Sequence, residues 1–208
     1  MSVSYDTLGF SLTVNAAGSQ ITVGTDDTLV LVGGYDSANA DGSVTAGEAI
    51  TVEDPTNAED QFGTSELSRA CEVAASNRSG QQVAVPVPET QTTESFAASS
   101  AGTLSNDPIF DPRLHPDEST TVTDTSAGTD LAVQYVDVDP GTVSLGTDEA
   151  AINPVTGTWA TDASSDYDIT YTYGDYDSAI SEAVTVSDAR YVYVGTENDS
   201  VKATLQAE

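Results

Sequence analysis

The 208-residue sequence holds one cysteine, one histidine and five basic residues, and each shortage removes a class of chemistry. Cys71 has no partner for an internal disulfide. It falls on the apolar face of a helix-patterned stretch and reads as a small buried hydrophobe, not a reactive thiol. His115, inside DPRLHPDE, has no companion ligands for a metal site, and the flanking prolines suggest a solvated loop or a subunit contact. Arg69, Arg78, Arg113, Arg190 and Lys202 form no cluster, so neither nucleic acid nor an anionic membrane surface is an expected partner. No stretch approaches the roughly 20 apolar residues of a membrane span, and no charged-then-apolar leader opens the chain. The expected place of synthesis is the cytoplasm.

Nucleophile and phosphate motifs are missing as well. The sequence has no G-x-S-x-G, no glycine-rich loop ending in Lys-Ser/Thr and no H-E-x-x-H, and Gly33-Gly34 reads as a turn. Most familiar acid–base and metal mechanisms therefore lack their parts. The sequence assigns no catalytic, cofactor-binding or metal-ligating residue, and the expectation is a protein that is not an enzyme and needs no cofactor.

Acid is abundant. Asp and Glu total 34, the formal net charge is −29, and the acids are spread along the whole chain. Such a charge repels itself in dilute buffer, whereas at about 1 M salt the Debye length falls to about 3 Å and the repulsion is mostly screened. A chain adapted to concentrated salt is the simplest reading, with a disordered acidic chain or a calcium-loaded one as alternatives. Runs of Val, Ile, Tyr and Leu with strand periodicity disfavour disorder, and no D-x-D-x-D-G loop closed by Glu is present. Asp137 with Asp139, and Asp166 with Asp168, alternate along expected strands, while Asp175 and Asp177 open an expected helix. A hydrolase needs two carboxylates of opposed pKa across a cleft, and a surface this acidic shows such pairs by chance. They read as solvated surface, with Asp175 and Asp177 favouring a helix N-terminus.

The length allows one large or two small domains. Residues 1–27 have strand composition at Val3 to Tyr5, Phe10 to Val14 and Ile21 to Val23, consistent with a hairpin or with an arm that adds a strand to a neighbouring subunit. Residues 28–87 read as strand (Leu29 to Val32), strand (Ala49 to Val52), short helix (Asn57 to Phe62, closed by Gly63), longer helix capped by Ser65, and strand QQVAVPV. Leu67, Ala70, Cys71 and Ala74 fall on one helical face. Residues 88–119, rich in Ser, Thr, Asp and Pro, read as a linker pinned by Phe96, Leu104, Ile109, Phe110 and Leu114.

Residues 120–173 read as an inserted β domain, an antiparallel sandwich or barrel. Its strand signals are TTVTDT, LAVQYVDV, GTVSLG, GTWATD and YDITYTYG, with a turn at Ser164-Ser165-Asp166. Its expected core and rim are Val133, Tyr135, Val136, Val138, Val143, Leu145, Trp159, Ile169, Tyr171 and Tyr173. Residues 174–208 return to helix, strand and helix: Asp175 to Ser187, a strand ARYVYVGT of the kind buried on both faces, and a helix capped by Asn198. The expected fold class is α+β or α/β, a mixed sheet with packed helices, discontinuous over 28–87 and 174–208, carrying the inserted β domain.

The pattern Leu29 to Gly34, Ile50 to Asp54, Ala58 to Gly63, Ser65 to Asn77 and Val83 to Val87 resembles the N-terminal half of contractile tail sheath proteins. The stretch DVDPGTVSLGTDEAAINPVTGTWATDASSDYDITYTYGDY resembles the same family, in the same order. Every matching position is a packing or turn residue, so no active site is carried over. The resemblance implies a virion protein from a haloarchaeal-type virus or injection system. Its copies would form six-fold rings around a tail tube, releasing energy stored in their contacts when the sheath shortens. Family members carry a further C-terminal region, so the expectation is a naturally shortened or split sheath subunit, a truncated product, or a related virion protein that kept only the outer part. The alternative is a minor non-contractile virion protein or a cell-surface binding module of a halophile.

Overall fold

The computed structural model describes residues 3–6, 11–14, 28–77, 80–115, 118–187, 189–196 and 198–207. Val3–Asp6 (β1) and Ser11–Val14 (β2) pair antiparallel with each other, Val3 opposite Val14 and Asp6 opposite Ser11. The expected strand residues Phe10 and Ile21 to Val23 lie outside the described residues.

The first half of the α/β unit follows the periodicity of the sequence. Thr28–Gly33 (β3) and Gln82–Pro86 (β5) pair parallel, and the two-residue strand Ile50–Thr51 (β4) joins the far edge of β5 antiparallel. Glu59–Phe62 (α1) ends at Gly63, whose φ of 66° suits glycine and whose N–H donates to the Glu59 carbonyl. Any Cβ there would stand 2.7 Å from that of Asp36. Glu66–Asn77 (α2) starts on a reciprocal cap: Ser65 Oγ accepts the Ser68 N–H at 3.2 Å, and Ser68 Oγ accepts the Ser65 N–H at 3.0 Å. Because strand side chains alternate, Leu31 and Ala84 face Phe62, Leu67, Ala70 and Cys71, while Val30, Val32, Val83 and Val85 face the opposite side.

The stretch expected to be a linker, 88–119, is not one. Glu89–Thr103 (β6) is a 15-residue strand, antiparallel to the still longer Thr158–Gly174 (β10) from end to end. Its Ser, Thr and Ala content hides it from hydropathy, since one face meets the β-unit core only through residues such as Phe96. Thr121–Asp124 (β7) and Thr129–Tyr135 (β8) form a hairpin whose turn is tied by the Asp124 carboxylate to the N–H groups of Ser126 and Ala127.

GTVSLG is not a strand. Pro140–Thr142 is a 3-10 turn in which Asp139 accepts the Gly141 N–H at 2.9 Å, and the chain then crosses over so that Glu149–Ile152 (β9), unanticipated in sequence, lies parallel to β8. A parallel pair needs such a crossover, which is why a third hairpin strand does not form here. The expected turn at Ser164-Ser165-Asp166 is a bulge inside β10, marked by register shifts on both sides of Ser165. The bend lets one strand pair with β9 through Trp159, Ala160 and Thr161 and with β7 through Tyr167 to Thr170, closing β7, β8, β9 and β10 into a small barrel with β6 alongside. Leu104, Ile109, Val122, Leu131, Ala150, Ile152, Trp159, Tyr167, Ile169 and Tyr171 fill it. Val138, expected in this core, is 57% exposed because the chain has already left β8.

Asp175 caps Tyr176–Ala183 (α3), accepting the Ser178 N–H at 3.0 Å, and the β-branched Thr185 and Val186 fall beyond its end. Ala189–Val194 (β11) pairs parallel with β3 on its outer side. It is an edge strand and not a doubly covered one: Tyr191 is 39% exposed. Asn198 caps Asp199–Ala207 (α4) through bonds from the Ser200 and Val201 N–H groups. The sheet order is β11-β3-β5-β4, with Tyr176, Ala179, Ile180, Ala183 and Val201 of α3 and α4 covering the valine face. The fold is a mixed α+β arrangement, and no helix among the described residues is long and apolar enough to cross a membrane.

Candidate functional site

Strands β3, β5 and β11 run parallel, so their carboxyl ends lie on one side of the sheet, the side where α/β folds place ligands. The turn after β3 (Gly34 to Ala38), the step from β5 into β6 (Val87 to Glu89) and the N-terminus of α2 meet there. The segment after β6 closes over them. Ile109 bridges to Tyr173, and the Phe110 N–H donates to the Thr172 carbonyl at 2.9 Å. The Asp111 carbonyl then accepts the N–H groups of Leu114 and His115, both at 2.8 Å, which folds the chain back on itself.

His115 is therefore not in a solvated loop. It is 3% exposed, stacked on Phe110 at 4.6 Å with a 17° interplanar angle, and seated on Gly34, where a Cβ would come within 2.6 Å of its Cε1. Gly34 thus provides close approach as well as a turn, and this is what the reading of Gly33-Gly34 omitted. Burial pushes the imidazole down to about 4, against the pull of Asp111 and Asp36 and with a smaller push from Arg69.

Five acids surround this ring and its supports, and sequence reasoning singled out none of them. The residue Glu66 is only partly covered, yet its carboxyl group is enclosed, accepting from Tyr176 Oη at 3.2 Å and from the Gly34 backbone. Desolvation raises it to about 7 despite those bonds, and Asp111 adds to the rise. Glu89 accepts from Ser37 Oγ at 2.9 Å and is also raised to about 7, first by burial and then by Glu118 and Asp36. Asp36, 7% exposed, accepts from the backbone and side-chain nitrogens of Asn39 at 3.1 and 2.9 Å. Asp111 is gripped by Arg113, whose Nε and Nη2 reach it at 2.9 and 2.7 Å, while Nη2 also reaches Asp137 at 2.6 Å.

His115 Nδ1 and Glu89 Oε1 are buried without a protein partner. Tyr35, Asp36, Ser37, Ala38, His115 and Glu118 line a cavity of about 20 Å³, room for one water. Burial thus holds the Glu66 and Glu89 carboxyls above the usual carboxylate range and the His115 ring below the usual imidazole range.

The carboxylates noted in sequence are elsewhere and serve local geometry. Asp137 and Asp139 lie beyond the end of β8, not on a strand face, one paired with Arg113 and the other capping the 3-10 turn. Asp166 accepts the Ala98 N–H at 2.8 Å, Asp168 accepts from Ser95 Oγ at 2.6 Å, and Asp177 accepts from Thr204 Oγ1 at 2.8 Å. Cys71 is fully buried, its thiol pushed up to about 12 by burial, with Glu72 adding to the rise. Among the described residues no three His, Cys, Asp or Glu side chains are placed to hold a metal ion. No protein-family model, curated protein or solved structure matches the chain.

Proposed function

We propose that the chain is a non-enzymatic structural subunit of an assembly, a sheath-like protein of a contractile tail or injection particle from a salt-loving host. It would be made in the host cytoplasm and carried in the virion tail, with copies of itself and a tail tube protein as partners. One observation carries the reading: the path of the chain. It leaves the sheet after β5, builds the closed β unit, and re-enters through α3 and β11, so that β3 receives its second parallel neighbour only after the insertion is complete. That is the order in which the two sheath-like stretches resemble the family. The net charge of −29 supports the high-salt setting, because copies this acidic approach one another only where their repulsion is screened.

Negative-stain electron microscopy in molar salt, with and without the host's tail tube protein, tests the proposal. Rings or striated tubes are the expected outcome. Dispersed particles in the presence of the tube protein would overturn it in favour of a non-contractile virion or surface module. Circular dichroism across salt concentration tests the setting separately: full folding in dilute buffer would remove the halophile argument.

A further inference from the structure

The cavity beside His115 is walled mostly by groups that accept hydrogen bonds. Asp36 and Glu118 supply carboxylates, and Tyr35 and Ser37 supply hydroxyls. His115, 3% exposed, has its Cε1–Nε2 edge against Gly34 and one face on Phe110, while Nδ1 has no protein partner. The ring is uncharged near neutral pH, so one of its nitrogens is free to accept. Behind Ser37, Glu89 gives Oε2 to the Ser37 hydroxyl and keeps Oε1 buried without a partner. Arg69 acts on the ring but is not on the wall, and no other basic side chain lines it. Three carboxyl groups therefore stand around a water-sized space with no cation among them.

The chemistry of this wall narrows its ligand. A metal ion needs several donors at about 2.0–2.6 Å, and among the described residues no three His, Cys, Asp or Glu side chains are placed to hold one. A water offers two donors and no charge, which leaves the carboxylates uncompensated. A guanidinium is a planar fork of five donors, too broad for about 20 Å³. A primary ammonium group is close to water in size, carries a positive charge, and has three donors and no acceptor, with bonds of about 2.7–2.9 Å to carboxylates.

We propose that this cavity binds the ammonium group of a primary amine, with Asp36, Glu118 and His115 as acceptors and Glu89 adding charge from behind Ser37. Its wall includes the exposed residues Ser37 and Ala38, so the carbon stem of the amine can leave toward solvent. The chain's single lysine, Lys202, is on α4 with Nζ 4.0 Å from Asp199, so the amine belongs to another molecule, as a lysine side chain or as a free small amine. The inference does not depend on the sheath reading.

His115 is the sequence's one histidine, and its Hε1 resonance reports on the cavity directly. At pH 8 the ring is uncharged and Glu89 is ionised, so neither titrates during the measurement. Replacing NaCl mole for mole by methylammonium chloride keeps screening constant and should move the resonance along a saturating curve. Tetramethylammonium chloride, with the same charge and no donor, should leave it in place. Nα-acetyl-lysine N-methylamide separates the two sources: saturation by it assigns the site to a protein lysine, and saturation by methylammonium alone assigns it to a free amine. Glu118→Gln should weaken binding about tenfold and Glu89→Gln by a smaller factor, both with native circular dichroism. The two variants are independent, so one that fails to fold leaves the other as the test. An unmoved resonance, which would leave the cavity to water, overturns the inference. So does a shift that never saturates, an equal response to tetramethylammonium, or unchanged binding in the folded variants.

Discussion

The α/β unit and the β unit are filled on different principles. Around β3 and β5 the core is mostly aliphatic, Val30, Val32, Val83 and Val85 against Ala179, Ile180 and Ala183, with Tyr176 at its border donating to Glu66. Inside the barrel the volume comes from aromatic residues with polar ends, and the tyrosine ends are tied back: Tyr167 Oη donates to the Ala163 carbonyl at 2.8 Å, and Tyr171 Oη accepts from Asn106 and donates to Glu94, whereas Trp159 Nε1 is buried without a protein partner. A small closed barrel has few inward positions, so a few large residues carry most of the filling, and those with hydroxyls also fix the strands they reach. The α/β unit relies on many small contacts, the β unit on a few large ones.

Truncation at the two centres is the strongest way to break this contrast. Trp159, 2% exposed, packs edge-on against Phe96 at 4.8 Å and Tyr167 at 6.0 Å. Trp159→Ala should cost about 3–5 kcal/mol, against about 2–4 kcal/mol for Ile180→Ala, because the helix-covered valine face has smaller neighbours that can close in. Chemical denaturation in molar salt measures both, and an equal or larger loss at Ile180 would show that the barrel's volume is not concentrated in its aromatics.

The same contrast explains what was legible in the sequence. Helix α2 announces itself through Leu67, Ala70 and Cys71 at helical spacing behind a serine cap, and β3 through an unbroken aliphatic run, because burial on a continuous face leaves a continuous pattern. Strand β6 leaves none. Its residues gain order from pairing with β10 and not from burial, so ETQTTESFAASSAGT reads as loop composition. Pairing partners distant in sequence also hid β9 and turned an expected hairpin turn into the β10 bulge. The candidate site was missed for a related reason: Asp36, Glu66, Glu89, Asp111 and Glu118 are unremarkable among 34 acids until the fold encloses some of them around His115.

The boundary between the units is where charge is buried, and its pH response sharpens the comparison. The folded-state pKa of Glu66 is raised from 4.5 to about 7, so the unfolded chain ionises first as pH rises. Stability from this group is complete below about 4.5 and is lost as pH climbs through 7. His115 is lowered from 6.5 to about 4, so its contribution is complete above 6.5 and is lost as pH falls through 4. The two slopes oppose one another in mildly acid solution. Glu66→Gln keeps the shape and removes the ionisation, so its stability relative to the native chain should be near zero at pH 4.5 and grow to about 2–3 kcal/mol at pH 8. A difference that stays flat with pH, measured by denaturation at each value, would place the enclosed carboxyl in contact with solvent.

Gly34→Ala should act on the same boundary without changing charge. Its Cβ would meet His115 Cε1 at 2.6 Å and Phe110 Cε1 at 3.2 Å, both ring atoms with little room to move. A loss of about 1–3 kcal/mol is expected, the range for overpacking a closed site. If the cost comes from unseating the ring, the His115 proton should titrate closer to 6.5 in the variant, and proton NMR of this lone imidazole reads that directly.

The smallest effect belongs to Arg113, which joins the segment after β6 to the end of β8. Its contact with Asp111 is the more valuable half, since the Asp111 side chain is 11% exposed and that of Asp137 is 76% exposed. Asp137→Ala should therefore change stability by a few tenths of a kcal/mol, within the range of an exposed ion pair in screening salt. Arg113→Ala should cost about 1–2 kcal/mol, because it strips a largely buried carboxylate of its charged partner. The cost should persist in molar salt if burial sets it and fade if surface attraction does. Equal effects for the two substitutions would mean that the clamp between the units is held from the solvent side.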